Sequence, residues 1–428
     1  MSVHATTLAP TPPASSVGWL SLITLAITIL SAFAMRAVFS PVQEAVKTAL
    51  ALSDFQIGLI QGLAAAIPIA LLSLPLGRIT DRGNRVRLLL ALGITWTLGT
   101  IATALASEFY GLFIARMLAS IGAMCAVPVA ISLAADLSPP EQRGRSLLFL
   151  SLGNMAGVAA AFAFGGIALG ALETTPLISG LEPWRGVHIV FAIVSVALLA
   201  PLAFMREPAR REMGDAHTEL KTALHAIWQR RALLAPLFLG QVSVVMADTA
   251  ASVWAAPVLS RNYGLEPQEF AGWMGLVILV SGLVGSVLGG VLADAGHKSK
   301  LRGGILIGAV IAAVLSIPGA FFPLMPDAAS FALLLALLLT CGAITGLVTA
   351  TAVAVLVPNE IRGVCLAAFM VLGSIIGLGI APTMVTMISD AMGGESAIRY
   401  GLTATGLITS TAAAIGFTAA LVKAPAKA

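Results

Sequence analysis

Charged residues are scarce in this sequence. Only 10% of the 428 residues are Asp, Glu, Lys or Arg, whereas soluble domains carry roughly 25%. Hydrophobic residues make up 58% of the chain, and the mean hydropathy is +0.97. Such a chain has more apolar surface than one or two soluble cores could enclose, which excludes an ordinary soluble enzyme. Most of the chain must therefore be surrounded by lipid.

Cysteine and histidine are also few. The three cysteines, Cys125, Cys341 and Cys365, lie inside apolar runs, which argues against a disulfide framework and against redox chemistry. The five histidines lie at the ends of the chain or of apolar runs, or in loops, and form no H-E-x-x-H or other metal spacing, and no P-loop is present. We therefore expect no catalytic residues, no metal site, no cofactor and no nucleic-acid partner.

Long apolar runs account for most of the chain. A membrane-spanning helix needs about 20 apolar residues, so twelve spans use roughly 240 residues and leave room for short loops. Residues 331–357 contain no charge at all, which is unlike the alternating segments of a β-barrel. The sequence therefore predicts an all-α membrane protein with twelve transmembrane helices in two six-helix bundles. The runs lie at about 18–43, 54–76, 87–106, 109–135, 146–170, 187–205, 233–259, 270–293, 303–323, 329–356, 363–388 and 397–422.

The longest polar stretch, residues 206–231, separates six runs from the other six. We interpret it as a cytoplasmic linker that is partly an amphipathic helix at the membrane surface. The first 17 residues contain no Lys or Arg and no cleavage site of the usual kind, so we expect no removed signal peptide. The predicted domains are an N-terminal tail at 1–17, a bundle at 18–205, this linker, a second bundle at 232–422 and a C-terminal tail at 423–428.

The distribution of Lys and Arg predicts the orientation. With the N-terminus in the cytoplasm, 18 basic residues of the loops, linker and tail lie inside and four lie outside. An excess of basic residues marks cytoplasmic loops. We therefore expect both termini in the cytoplasm of a bacterial cell and the spans in its inner membrane.

The two halves of the chain resemble each other. The segment GRITDRGNRVR after the second run is similar to GVLADAGHKSKLR after the eighth, and SPPEQRGRS after the fourth is similar to VPNEIRGVC after the tenth. Asp81 and Asp294 are offset by close to half the chain length, and so are Arg143 and Arg362. These offsets indicate two parallel six-helix repeats, an arrangement found in transporters whose halves rock about a central site.

The loop at 77–87 resembles the loop between helices 2 and 3 of the major facilitator superfamily. The segments SPVQEAVKTALALSDFQIGLIQG, SLPLGRITDRGNRVRLL and SDAMGGESAIRYGL look like the spinster-like subfamily more narrowly. The resemblance implies that this loop latches the halves together on the cytoplasmic side in the outward-open state. The alternative is that its arginines only fix topology. The latch residues so predicted are Gly77, Asp81, Arg82, Arg85, Arg143, Asp294 and Arg362.

Charged groups inside the membrane are functional candidates because they cost several kcal/mol there. Three are present: Arg36, Arg116 and Asp248. Spinster-like proteins carry an Asp-Arg pair in helix 1 and a Glu in helix 4, and these acids imply proton coupling. In this sequence the acid positions fall on Met35 and Ala123, so the Arg is kept and both acids are missing.

Asp248 follows Met35 at the same spacing that separates Asp81 from Asp294, which is the offset between the two repeats. We therefore expect Arg36 and Asp248 to face each other across a central cavity and to form an ion pair. Alternatively, Asp248 is satisfied by nearby backbone or by Thr249. Arg116 is a further cavity candidate that could instead snorkel to the interface. Asn154 and Gln241 could contact substrate or join helices, and Trp254 could contact substrate or anchor the interface.

The predicted function is transport of a small organic or amphiphilic solute, lysolipid-like solutes included, by a secondary or facilitative route with alternating access. The alternative is a proton-coupled exporter of drugs or other amphiphiles that uses Asp248. A membrane sensor that keeps the fold is the rival from another class. The expected partners are this solute, membrane lipids and, in the alternative, protons, and we expect a monomer.

Overall fold

Every regular element of the structure is helical. The structure is a computed structural model that describes residues 18–139, 142–210, 220–299 and 301–424. No strand is found among these residues. Lipid offers no partners to backbone N–H and C=O groups, so a chain of this composition satisfies them within its own helices. The predicted all-α membrane fold is confirmed.

Twelve helical segments within the described ranges are long and apolar enough to cross a membrane. Several of these spans consist of two helices in succession, as in the first span, Trp19–Ala49, where α1 and α2 meet at Val38. The eleventh span is interrupted by a π-helix at Gly373–Ile380. The α-helices are α1 Trp19–Ala37, α2 Phe39–Ala49, α3 Asp54–Gln61, α4 Leu63–Arg82, α5 Arg85–Leu105, α6 Phe109–Leu137, α7 Arg143–Thr174, α8 Pro183–Ala203, α9 Leu220–Gln229, α10 Arg231–Tyr263, α11 Pro267–Lys298, α12 Ile307–Gly319, α13 Ala328–Leu356, α14 Asn359–Leu372, α15 Ala381–Ala391 and α16 Ile398–Lys423.

Capping side chains set where several helices begin. The Ser53 hydroxyl accepts a hydrogen bond from the Gln56 N–H at the start of α3. The side-chain oxygen of Gln56 in turn accepts a hydrogen bond from the Ser53 N–H. Asp327 accepts from the N–H groups of Ala329 and Ser330 at the start of α13. These bonds, led by that from Ser330, hold the pKa of Asp327 below its usual range. The caps satisfy N–H groups that a helix itself leaves unpaired.

Both described chain ends lie at the same end of the bundle, which we call the terminus end. Gly18 lies against Leu137, the last residue of α6. The Arg302 guanidinium donates to the carbonyl of Ala424 at 2.6 Å. An even number of spans requires this arrangement. The linker helix α9 falls within the predicted linker, of which residues 211–219 lie outside the described residues.

The hydrophobic core is distributed unequally between the two ends. The larger cluster combines buried residues of the first half, such as Val46 and Ile57, with residues of the second half, such as Val258 and Val385. A second cluster, which includes Phe417, consists only of residues from the second half. The halves therefore share a core away from the terminus end and have separate cores towards it.

Glycines allow the two halves to approach closely. A Cβ at Gly275 of α11 would lie 2.6 Å from the Ala159 carbonyl of α7. A Cβ at Gly62, between α3 and α4, would lie 2.8 Å from the Gly379 carbonyl of the π-helix. Larger residues would push the helices apart at both places, because backbone atoms cannot give way. These close approaches lie in the part of the bundle where the halves share their core.

Candidate functional site

A network of ion pairs joins the halves at the end opposite the termini. The Arg261 guanidinium of α10 donates to both Glu44 oxygens of α2, at 2.7 and 2.9 Å. It also donates to both Asp54 oxygens of α3, at 2.6 and 2.7 Å. One side chain of the second half therefore holds two carboxylates of the first half in bidentate geometry, which is the strong form of such contacts.

Two further residues extend this network. The Lys47 ammonium lies 2.8 Å from Asp54 and also pairs with Glu395, which precedes α16. Glu395 in turn accepts the Asp54 N–H at 3.1 Å. We call the end of the bundle that carries Glu44, Lys47, Asp54, Arg261 and Glu395 the paired end. Because Arg261 and Glu395 belong to the second half and the others to the first, the network closes the bundle at this end.

Sequence reasoning missed the function of these five residues. The patterns described above identify them only as loop charges or as members of segments that carry the resemblance. Three of them, Glu44, Lys47 and Asp54, lie together in the segment SPVQEAVKTALALSD. This short segment next to a predicted span carries charges of both signs, and that pattern could have indicated an ion-pair network.

Arg116 supports the junction between α1 and α2. It is 2% exposed, and its guanidinium donates to the carbonyls of Met35 (3.4 Å) and Arg36. Its Cζ lies 5.0 Å from the centre of the Phe39 ring. The last carbonyls of a helix lack partners within the helix, and a cation there is favourable. The structure therefore places Arg116 against the α1 backbone, neither snorkelling nor in an open cavity.

Arg36 has no acidic partner among the described residues. Its side chain is half-buried, and its Nε is buried without a hydrogen bond. The terminal nitrogens make no hydrogen bond or ion pair with any described residue and are not among the buried atoms, so they reach accessible surface. An unpaired cation near the middle of the first span is thus available to a ligand.

Asp248 points into the second half of the molecule. Its carboxylate lies against Gly342 of α13, close enough that a Cβ at position 342 would collide with both oxygens. It borders a small void with residues of α12, α13 and α16. No ion pair or side-chain hydrogen bond joins it to another described residue. The expected ion pair between Arg36 and Asp248 is therefore absent from this structure, and Thr249 does not satisfy the carboxylate either.

The three uncharged candidates differ in their surroundings. The half-buried Asn154 of α7 keeps an accessible amide with no hydrogen bond to the described part of the chain. Gln241 accepts a hydrogen bond from Thr349 of α13 at 2.8 Å, so it joins two helices of one half. Trp254 is 0% exposed and donates to the Pro382 carbonyl at 3.0 Å. Trp254 therefore lies in the core, and neither at an interface nor in an open cavity.

The predicted latch loop is exposed at the terminus end. Gly77, Asp81 and Arg82 are exposed. Asp81 and Arg82 form no ion pair or side-chain hydrogen bond with the residues the structure describes. The loop is instead held by the linker, since Arg210 donates to the carbonyls of Thr80 and Gly83, both at 2.8 Å. A latch from Asp81 or Arg82 to the described residues of the second half is not formed in this conformation.

Arg85 joins elements of the first half only. It is 1% exposed and pairs with Asp136 at the end of α6 and with Glu207 after α8, the latter at 2.7 Å. Glu207 also accepts the Val86 N–H at 2.9 Å. In this conformation Arg85 does not bridge the halves, because both of its carboxylate partners belong to its own half, and its role as a latch in the outward-open state stays a prediction.

The remaining latch candidates also lie at the terminus end. Asp294 near the end of α11 is exposed. Arg143 begins α7, and Arg362 in the first turn of α14 donates to the Val357 carbonyl at 3.2 Å.

Within the described ranges, no group of three or more His, Cys, Asp or Glu is arranged to hold a metal ion.

Comparisons with known proteins agree with this architecture. A family model described as Major Facilitator Superfamily matches residues 25–382. An MFS-type efflux pump of Mycolicibacterium smegmatis is 24% identical over 378 residues, which cover 87% of this chain and 85% of that protein. A 3-(3-hydroxy-phenyl)propionate transporter of Escherichia coli is 27% identical over 250 residues, 58% of each chain.

Solved structures show the same fold. A bacterial homologue of the human lysosomal transporter Spinster, in an inward-facing and unoccupied conformation, superposes with a TM-score of 0.78 at 25% identity. The match covers 97% of this chain and 100% of that one. The transporter FucP in its outward conformation superposes with a TM-score of 0.63 at 17% identity, covering 96% and 99% of the two chains. The resemblance to spinster-like proteins is supported by the first of these structures.

Proposed function

This chain belongs to the Major Facilitator Superfamily, and we propose that it moves a small organic or amphiphilic solute with an anionic group across the bacterial inner membrane by alternating access. The unpaired guanidinium of Arg36 carries this proposal. A cation in the middle of a span is unfavourable without a counter-charge, and a bound carboxylate or phosphate provides one. The planar fork of Arg suits both groups.

Two other residues support this role. Arg116 holds the carbonyls of residues 35 and 36 and so fixes the backbone from which Arg36 projects. Closer to the terminus end, where the adjacent Gly153 lies against the Ala26 carbonyl, the accessible amide of Asn154 offers a hydrogen-bonding group for the uncharged part of a solute. The E. coli relative is named for a propionate, which is a carboxylate.

The direction in which the halves open follows from the loop charges. We place both termini in the cytoplasm because 18 basic loop, linker and tail residues lie on that side against four on the other. The paired end then faces the periplasm, and the structure corresponds to an inward-facing state. In the opposite state the network around Arg261 separates, and Asp81 with Arg82 latches the halves at the terminus end.

A proton-coupled exporter is the second candidate. It is favoured by the carboxylate of Asp248, which lacks a partner among the described residues, and by the relative named as an efflux pump. In this version Asp248 takes up and releases a proton during each cycle. The anionic-solute proposal does not depend on which ion drives transport.

Uptake into proteoliposomes tests the proposal. The probes are 3-(3-hydroxyphenyl)propionate, a lysophosphatidic acid and the uncharged amide of the propionate. We expect flux of at least one anion and none of the amide. An Arg36→Gln variant should lose roughly 10- to 150-fold in apparent affinity, since one charged contact contributes about 1.5 to 3 kcal/mol. Arg36→Lys, which keeps the charge, should lose less.

Two results would contradict the proposal. Equal flux of the propionate and its amide would show that the anionic group is not recognised. Unchanged affinity in Arg36→Gln, with the purified protein folded, would show that Arg36 does not bind it.

A further inference from the structure

A small void lies inside the second half of the molecule, beside Asp248. Its volume is about 10 Å³, and α10, α12, α13 and α16 surround it. That volume is about what one water-sized sphere needs. Gly342 makes room for the carboxylate here, because any side chain at this position would occupy the space of the carboxylate oxygens.

Three residues that carry hydroxyl groups line the same void: Ser316 of α12, Thr345 of α13 and Ser410 of α16. The Ser316 hydroxyl donates to the Ala313 carbonyl at 2.7 Å, and the Thr345 hydroxyl donates to the Gly342 carbonyl at 2.8 Å. Ser410 donates to the Ser316 carbonyl at 3.4 Å. Since these hydrogens are committed to backbone carbonyls, the hydroxyl oxygens have only lone pairs left to offer.

Asp248 is the one charged residue among the described residues that line the void. Asp248 has no ion pair or side-chain hydrogen bond with any described residue. Apart from Cys341, no lining residue from α12, α13 or α16 is titratable, and none is charged. The half-buried carboxylate of Asp248 thus borders a void whose lining offers no counter-charge and, besides the weak S–H donor of Cys341, no free side-chain donor.

We propose that this void is a binding site for Na⁺, with Asp248, Ser316, Thr345 and Ser410 as the oxygen ligands. A monovalent cation neutralises the single carboxylate, and hard cations prefer oxygen ligands. Mg²⁺ and Ca²⁺ do not fit, because their sites need more ligands or retained waters and usually several carboxylates. A proton would neutralise Asp248 and give it one O–H donor, but it would leave the void itself unfilled.

Occupancy of this site would affect the paired end. Asp248 and Arg261 lie on the same helix, α10, and Arg261 is in its last turn. A bound ion would tie α10 to α12, α13 and α16 and so fix the helix that carries the central residue of the network at the paired end. This coupling role rests on the proposed transport function, whereas the ion site itself does not.

Thermal unfolding and ²²Na⁺ binding of the purified protein test the site. NaCl is compared with choline chloride at equal ionic strength and at several pH values. We expect Na⁺ to raise Tm in a saturable manner that choline does not reproduce, because a ligand of the folded state stabilises it. Asp248→Asn and Gly342→Ala should abolish both the Tm shift and ²²Na⁺ binding, and Thr345→Val should weaken them.

Ser252→Ala is the matched control. Ser252 lies one turn after Asp248 on the same helix, is exposed and donates to the Asp248 backbone carbonyl, so this variant should keep the full Na⁺ response. A wild-type protein without Na⁺-dependent Tm shift or ²²Na⁺ binding would overturn the proposal. A Na⁺-dependent Tm shift that persists in Asp248→Asn would also overturn it. Stabilisation by low pH without any effect of Na⁺ would replace the Na⁺ site by a proton site.

Flux measurements separate this inference from the proposed function. If anion flux is absent while ²²Na⁺ binding depends on Asp248, the proposed function fails and the ion site stands. If anion flux proceeds equally in Na⁺ and choline while binding persists, the coupling role is refuted.

Discussion

Arg261 and Asp54 are joined by two hydrogen bonds, from Nη1 to Oδ2 at 2.6 Å and from Nη2 to Oδ1 at 2.7 Å. The Asp54 side chain is only 4% exposed, so water has little access to the pair. Arg261 belongs to the second half and Asp54 to the first. If the paired end opens, as the proposed function requires, this contact has to break, and it then contributes to the free-energy difference between the open and closed states.

Replacing Arg261 tests the role of this contact. Arg261→Gln should shift the population towards the state with an open paired end, by roughly 1 to 3 kcal/mol, a value between those of exposed and buried pairs. Distances between spin labels at Thr48 and Met392 report the shift. Arg399→Gln is the control, since Arg399 lies at the same end but contacts its neighbour Tyr400. Identical distance distributions in Arg261→Gln and wild type would show that the network does not keep the paired end closed.

Two glycines of α11 form a matched pair for testing the contact between the halves. Gly275→Ala should destabilise the observed conformation, because its Cβ would meet the Ala159 carbonyl at 2.6 Å. Gly272→Ala meets nothing within 4 Å and should be neutral or stabilising by up to about 1 kcal/mol, from helix propensity alone. Spin-label distances across the paired end and Tm values of both variants give the comparison. Equal effects of the two changes would contradict the close packing of α7 and α11.

Arg85 and Arg87 form a second matched pair, on α5. Arg85→Ala should lower the free energy of unfolding by roughly 2 to 4 kcal/mol, since it removes a buried guanidinium that pairs with Asp136 and Glu207. Arg87 is exposed, and Arg87→Ala should change stability by less than about 0.5 kcal/mol. Denaturation in detergent measures both. A loss of similar size in the two variants would mean that the Arg85 network adds nothing specific.

Asp81→Asn should act on the conformational equilibrium and not on the contacts seen here. Asp81 is exposed and has no partner in the described part of the chain, so the observed conformation loses nothing. If Asp81 latches the terminus end in the other state, losing that charge-assisted contact costs the other state about 1.5 to 3 kcal/mol. Spin-label distances should then show the paired end closed in more molecules than in wild type. An unchanged distribution would assign the loop to topology alone.

The fold was predictable because its signal is coarse. Runs of about 20 apolar residues, the polar stretch at 206–231 and the duplicated loops are visible without knowing how any helix is rotated. The break between α1 and α2 at Val38 was not predicted, although Pro41 in the first turn of α2 lacks the N–H that would otherwise bond to the Ala37 carbonyl. The contribution of Arg116, a residue of α6 far along the chain, was not visible, because its contact with the carbonyls of Met35 and Arg36 depends on the fold.

The relation between Arg36 and Asp248 could not be predicted from the offset of the repeats. An offset locates a residue along a helix, but an uncertainty of one residue rotates the side chain by about 100°. Asp248 faces α13 inside its own half, where Gly342 makes room for it. The same uncertainty affects Trp254, which faces the core. Which way a polar side chain points within a span is decided by small residues on neighbouring helices, far away in sequence.

The unequal distribution of the hydrophobic core has a kinetic consequence. Among the described residues the halves share a core away from the terminus end, so the proposed transport function implies that solute arriving from the terminus side does not have to separate that core. Solute arriving from the other side has to wait until that core separates, which exposes apolar surface at about 25 cal/mol per Å². Rapid mixing should therefore show binding without a lag from one side of the membrane and a delay, independent of solute concentration, from the other.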